Sequence, residues 1–191
     1  MAFCVGTRGL TGHGVLRLLI AAMVAVALIV SLGTTPAAVA APKGCRVKDQ
    51  ETGRTYARLQ AAVDDAMPTA RIILRGTCPG TTVIDRDLAI RGVRDGKRGD
   101  PVLTGEGRGR VLMVTEGVAV TLRDLVIRDG EATDGAGILN QGTLGLIDVV
   151  VRNNSTSMDG ECSGAGIHNT GTLTLAGASL VQFNHSFSES G

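Results

Sequence analysis

Apolar and polar positions along this chain follow two rhythms. In "TYARLQAAVDDA", from Thr55 to Ala66, the residues Leu59, Ala62, Val63 and Ala66 recur at i, i+3, i+4 and i+7, one face of an amphipathic helix. Thr55 stands where an N-cap belongs and Pro68 where a helix must stop, so the spacing predicts a helix over 55–66. From Arg71 onward the rhythm shortens to β-branched runs: "RIIL", "TTVI", "LAIRG", "VLMV", "VAVTL" and "LVIRD". Gly, Asp, Asn and Thr punctuate them and no second helical pattern follows, so this part reads as all-β.

The β-rich part repeats itself. "GAGILNQGTL" from Gly135 returns as "GAGIHNTGTL" from Gly164, with His168 in place of Leu139 and Thr170 in place of Gln141. "LRDLVIRDG" from Leu122 is echoed by "LIDVVVRNN" from Leu146, and the apolar rhythm persists in "LAGASLVQF" from Leu175. Fixed strands with variable loops are the mark of a solenoid, in which each repeat stacks on its neighbour about 4.8 Å away. Leu122, Leu146 and Leu175 are then expected one above another. Leu125 with Ile127, and Val149 with Val151, alternate into the core. Glycines 135, 137, 164 and 166 suit tight corners, and Asn140 with Asn169 is expected to form a short amide ladder at one of them.

The first forty residues have a different character. Arg8 and Arg17 precede an unbroken apolar run from Leu18 to Val30, and Ala38-Val39-Ala40 supplies small residues for cleavage. As a helix that run rises only about 20 Å, short of a hydrocarbon core of roughly 30 Å. The pattern predicts a signal peptide over 1–40, export, and no stable membrane insertion once it is removed. The expected organisation is then an N-terminal cap over 41–70 and β-repeats over 71–191. Export makes disulfides possible. Cys45 and Cys78 flank the helical segment and are expected to pair, which leaves Cys162 over. Without Arg8 and Arg17 the chain carries 17 basic residues against 18 acidic ones, a net charge of −1. That balance, with only Tyr56, Phe183 and Phe187 as aromatics beyond the leader, excludes a nucleic-acid binder of the basic, base-stacking kind.

"GAGILNQGTLGLIDVVVRNN", "GAGIHNTGTLTLAGASLVQFN" and "YARLQAAVDDAMPTARIILRGTCPGTTVIDRDLAIRG" together resemble the secreted bacterial right-handed parallel β-helix repeat proteins. Pectate-lyase-like and polymorphic outer-membrane-protein repeats share that fold. The resemblance implies an all-β, right-handed parallel β-helix with an N-terminal capping helix, at the cell surface or outside the cell. In enzymatic members it implies a polysaccharide substrate, with acidic residues and Ca²⁺ for lyases or a set of carboxylates for hydrolases.

The residues themselves offer little catalytic chemistry. Asp124 and Asp148 hold matching repeat positions and are the candidate catalytic pair, as glycosidase carboxylates or as a shared Ca²⁺ site. The simpler reading is an Asx corner offset by Arg123, Arg128 and Arg152; Gly177 at the third equivalent position ends the stack. Asp85 and Asp87 flank Arg86 with period two and are candidate cation ligands from one strand face. His168 and His185 have no evident catalytic partners. "RGD" at Arg98-Gly99-Asp100 lies in a charged loop. No nucleophile triad, Cys/His metal spacing or phosphate loop can be assembled. The expectation is therefore an exported, non-enzymatic scaffold without a cofactor, binding a polysaccharide or a surface protein. Two alternatives stand beside it: a polysaccharide lyase or glycoside hydrolase, and an inactive fragment of a longer β-helix protein.

Overall fold

The computed structural model describes residues 44–156 and 164–186. The expected signal peptide over 1–40 and Cys162 lie outside them. The described chain opens with β1 (Arg46–Asp49), β2 (Thr55–Tyr56) and α1 (Leu59–Asp65). The helix is shorter than its spacing predicts. Thr55 is not its N-cap but part of β2, opposite Lys48, and Arg58 occupies the cap position with no side-chain hydrogen bond. Pairing of Thr55 and Tyr56 with β1 takes the place of one more helical turn. The predicted face is the buried one: Leu59, Ala62, Val63 and Ala66 all lie in the core. At the other end Arg86 donates to the carbonyls of Ala66 (2.9 Å) and Asp64 (3.3 Å), so a cation satisfies the open carbonyls of the helix C-terminus.

The remaining strands come round in a fixed order. β3 (Ala70–Arg75), β4 (Thr77–Pro79) and β5 (Thr82–Ile84) are followed by β6 (Leu88–Gly92), β7 (Val102–Thr104) and β8 (Leu112–Val114). Then come β9 (Ala119–Arg123), β10 (Val126–Arg128), β11 (Glu131–Ala132) and β12 (Ile138–Asn140). The next set is β13 (Thr143–Ile147), β14 (Val150–Arg152), β15 (Ser155–Thr156) and β16 (Ile167–Asn169), and β17 (Thr172–Ala176) and β18 (Leu180–Gln182) complete the series. The first sheet runs β17-β13-β9-β6-β3-β1-β2, the second β18-β14-β10-β7-β4 and the third β16-β12-β8-β5, with β11 and β15 as a short fourth pair. The fold is all-β apart from α1, and from β3 onward every neighbouring pair of strands is parallel. Parallel neighbours need a crossover connection, and here the crossover consists of strands of the other sheets rather than a helix.

Register follows from the repeats. Ile72, Ile90, Leu122, Leu146 and Leu175 are paired in line across the first sheet, and Leu103, Ile127, Val151 and Val181 across the second. Each line is sealed from solvent until its last member, where Leu175 is 51% exposed and Val181 42%. The first sheet ends differently on its other side. There β1 pairs antiparallel with β3, α1 packs nearby, and a Cys45–Cys78 disulfide ties the chain before β1 to β4.

Asn140 sits in line with Ile84 and Val114, both buried apolar residues, and is itself fully buried. A polar group there needs partners. Its Nδ2 donates to Asn169 Oδ1 (2.6 Å), Thr172 O (2.9 Å) and Gly142 O (3.3 Å), so the two amides link successive strands of the third sheet. A second ladder joins Asn154 to Asn184. Asn154 Oδ1 accepts from the Gly130 N–H at 2.9 Å, and its Nδ2 donates to Asn184 Oδ1 at 2.9 Å. Its sequence signal is the equal offset of the two asparagines from Val151 and Val181, within "VRNN" and "VQFN".

Candidate functional site: the charged corner groove

The residues that leave the first sheet for the second must turn sharply, and three equivalent ones do so in the left-handed region: Asp124 (φ 57), Asp148 (φ 56) and Gly177 (φ 62). Asp and Gly tolerate this conformation best, Asp because its short carboxylate bonds locally. Stacking of the strands therefore aligns Asp124 with Asp148 along one corner. Beside them the longer connection from β6 to β7 rises to form a groove of about 600 Å³. Arg91, Arg94, Asp100, Asp124 and Asp148 supply its charges, and Leu125 and Val126 part of its floor.

Both candidate carboxylates are engaged. Arg91 Nε donates to Asp124 Oδ2 at 3.0 Å, and Arg123 lies 3.7 Å from Asp124 and 3.9 Å from Asp148. Asp148 Oδ1 accepts the backbone N–H of Ala178 at 2.9 Å. Across the groove mouth Arg94 pairs with Asp100 at 2.8 Å. Of the arginines expected to offset the aspartates only Arg123 does so, since Arg128 pairs with Asp129 instead. Arg91, from β6, takes the leading part, brought in by a register that spacing along the chain cannot show.

This geometry suits binding better than bond cleavage. A glycosidase pair must flank one scissile bond from two sides. Asp124 and Asp148 instead follow each other at one corner, with Asp124 Oδ2 engaged by the Arg91 guanidinium and Asp148 Oδ1 by a backbone N–H. What the groove offers a ligand is a solvent-facing strip of alternating charge, in which the exposed Arg91 and Arg94 forks can bond oxygen acceptors bidentately.

Asp85 and Asp87 do not share a strand face. They lie in the corner between β5 and β6, where each carboxylate has its own partner. Asp85 pairs with Arg86 at 2.8 Å, and Asp87 Oδ1 accepts the Ala119 N–H at 2.7 Å. The hydrogen bond from Arg86 holds the Asp85 carboxyl below its ordinary value. Among the described residues no cluster of three or more His, Cys, Asp or Glu can hold a metal ion. His168 occupies β16 opposite Leu139, half-buried, and His185 bridges to Ser155 on the surface. The RGD loop is turned in on itself: Arg98 pairs with Asp95 at 2.6 Å and Asp100 with Arg94.

No family model matches this chain, and no curated protein or solved structure is significantly similar to it.

Proposed function

We propose that the chain is an exported right-handed parallel β-helix whose corner groove binds an extracellular polysaccharide or surface protein without chemical turnover. The single observation that carries this reading is the state of the groove, where Asp124 is held by Arg91 and Asp148 by the Ala178 N–H, while the paired Arg91 and Arg94 side chains remain 62% and 83% exposed. The helical-coil assignment rests on the strict rotation of strands through three sheets. It draws further support from the residues that resemble secreted bacterial β-helix repeat proteins. Export rests on the apolar run from Leu18 to Val30 behind Arg8 and Arg17.

The test is to incubate the purified protein with acidic and neutral polysaccharides, with and without Ca²⁺, recording product release and retention on the immobilised polymer. Retention without product, lost in Arg91→Ala, is the expected result. Ca²⁺-dependent product that disappears when Asp124 and Asp148 are both changed to Asn would replace this reading with the lyase one. Neither retention nor product would direct the search to a protein ligand at the same groove.

A further inference from the structure

The charges that line the corner groove do not cancel pair by pair. Arg91 meets Asp124 through Nε at 3.0 Å, and Arg94 meets Asp100 through Nε at 2.8 Å. Asp148 is the carboxylate left over. Its Oδ1 accepts the Ala178 N–H at 2.9 Å, but among the described residues its Oδ2 has only Arg123 Nη2 near it, at 3.9 Å and beyond hydrogen-bond reach. Arg123 does not line the groove, whereas Asp148 does and stays 38% exposed there. Asp148 Oδ2 is thus an acceptor open to a ligand.

The rest of the lining narrows what that ligand is. Its charged residues are two arginines against three aspartates. A polymer whose charges are all negative is attracted by Arg91 and Arg94 and repelled by Asp148, and one whose charges are all positive meets the reverse. A ligand that carries an anion and an ammonium side by side is attracted by both. The spacing suits it. Asp124, which holds Arg91, and Asp148 occupy equivalent corners of neighbouring strands, about 4.8 Å apart, so the two ligand charges fall on one sugar unit or on adjacent ones. Among the described residues none that lines the groove is aromatic or carries an uncharged polar side chain, so charge is what this groove has to discriminate with.

We propose that the groove takes an acidic polysaccharide that also bears free amino groups, its anion held by the Arg91 and Arg94 forks and its ammonium by Asp148 Oδ2, and that Asp148 sets this specificity. The inference rests on the reading of the groove as a polysaccharide-binding site and names the class of polymer it selects.

Titration calorimetry of the full chain with matched hexasaccharides tests it, at a pH of about 5.5 where carboxylates and amines are both charged. One probe is a hyaluronan hexasaccharide, which alternates a uronate with an N-acetylated amino sugar. The second is the same fragment N-deacetylated, and the third is a glucosamine hexamer, with amines alone. The deacetylated hyaluronan fragment is expected to bind about threefold to fivefold more tightly than either of the others, the size of one exposed charge pair. In Asp148→Asn the ratio between the two hyaluronan fragments should fall to about one. Asparagine keeps an oxygen for the Ala178 N–H and accepts the left-handed corner, as Asn153 does at φ 55, and circular dichroism checks that the variant is folded. Equal binding of the two hyaluronan fragments, lost in Arg91→Ala, would overturn this inference and leave the groove's role in binding standing. A glucosamine hexamer bound as tightly as the mixed fragment, or a preference that survives Asp148→Asn, would overturn it as well. Binding of none of the three would remove the polysaccharide reading itself, and capture of a mixed-charge peptide in their place would assign the groove to a protein.

Discussion

Asp148 and Gly177 share one small space: a Cβ on Gly177 would lie 2.3 Å from Asp148 Oδ1, the oxygen that accepts the Ala178 N–H at 2.9 Å. The corner of one repeat is thereby bonded to the corner of the next, and alanine would fit poorly at Gly177 for two reasons: its φ of 62°, which Asp adopts at the equivalent corners but Ala rarely does, and the methyl that would meet the carboxylate. Gly177→Ala is expected to destabilise the protein by about 1–3 kcal/mol. Adding Asp148→Ala should recover part of that loss, because the steric conflict goes with the carboxylate. Urea unfolding of both single variants and the double variant measures the coupling. Strict additivity would mean that the two residues do not meet.

The Asn140–Asn169 pair makes a prediction about burial. Asn140→Ala leaves Asn169 Oδ1 without its amide donor and is expected to cost about 1–3 kcal/mol. Asn140→Asp should be worse at neutral pH, since a carboxylate would face the carbonyls of Gly142 and Thr172 and the amide oxygen of Asn169. Such a carboxyl has its folded pKa raised above the unfolded value. The variant's stability is therefore retained below the unfolded pKa, about 3.9, and falls as pH rises above it. Denaturation midpoints at pH 3.5 and pH 7 give the sign.

Asp49 works in the opposite sense. Burial opposes its ionisation, yet the backbone N–H groups of Thr52 and Glu51 donate to Oδ1 and hold the carboxyl below its ordinary value. A depressed folded pKa contributes stability that is present above the unfolded pKa and lost as pH falls through the folded one. Asp85, beside Arg86, and Asp95, bonded by Lys97 N–H and Arg98, act in the same direction. The wild type should lose stability as pH falls below about 4. Asp49→Asn keeps the oxygen acceptor and cannot titrate, so its acid loss should be measurably shallower in a thermal melt series.

The Cys45–Cys78 bridge spans a sequence separation of 33 residues. Closing a loop of that length reduces the entropy of the unfolded chain, worth roughly 3–4 kcal/mol. Replacing both cysteines by serine should lower the unfolding free energy by about that amount. Hydrogen exchange should rise first in β1 and α1, which the bridge holds against the stack. Uniform loss of protection across all three sheets would show that the cap and the stack unfold as one unit.

Leu146 and Leu175 stand next to each other in one apolar line, and their truncation should differ sharply. Leu146→Ala opens a cavity in a sealed position and is expected to cost about 2–5 kcal/mol. Leu175→Ala removes a half-exposed side chain and should cost under about 1 kcal/mol in dilute protein.

Some of this was legible before any coordinates. The equal spacing of "GAGILNQGTL" and "GAGIHNTGTL" is enough to place Ile138 opposite Ile167 and Asn140 opposite Asn169, because stacked strands must repeat their corners in register. The helical face of Leu59, Ala62 and Val63 was legible too, since local periodicity reports which side is apolar. The helix start was not: Thr55 looks like a cap locally, and only pairing with Lys48, a tertiary contact, makes it a strand. Asp85 and Asp87 fail as a pair because Asp85 is held by the adjacent Arg86 while Asp87 is drawn to the Ala119 N–H of β9, a tertiary contact.

What the sequence determined by itself is thus the repeat, its register, the apolar lines and the two cysteines flanking the helix, all properties carried by spacing along the chain. What only the tertiary structure decided is who meets whom at the corners. Arg91 reaches Asp124 from 33 residues away, Arg86 ties the helix end to the next repeat, and Asn154 bonds Asn184 from the strand below. Charge pairing acts through space over a few ångströms, and only folding sets which long side chains come within that reach.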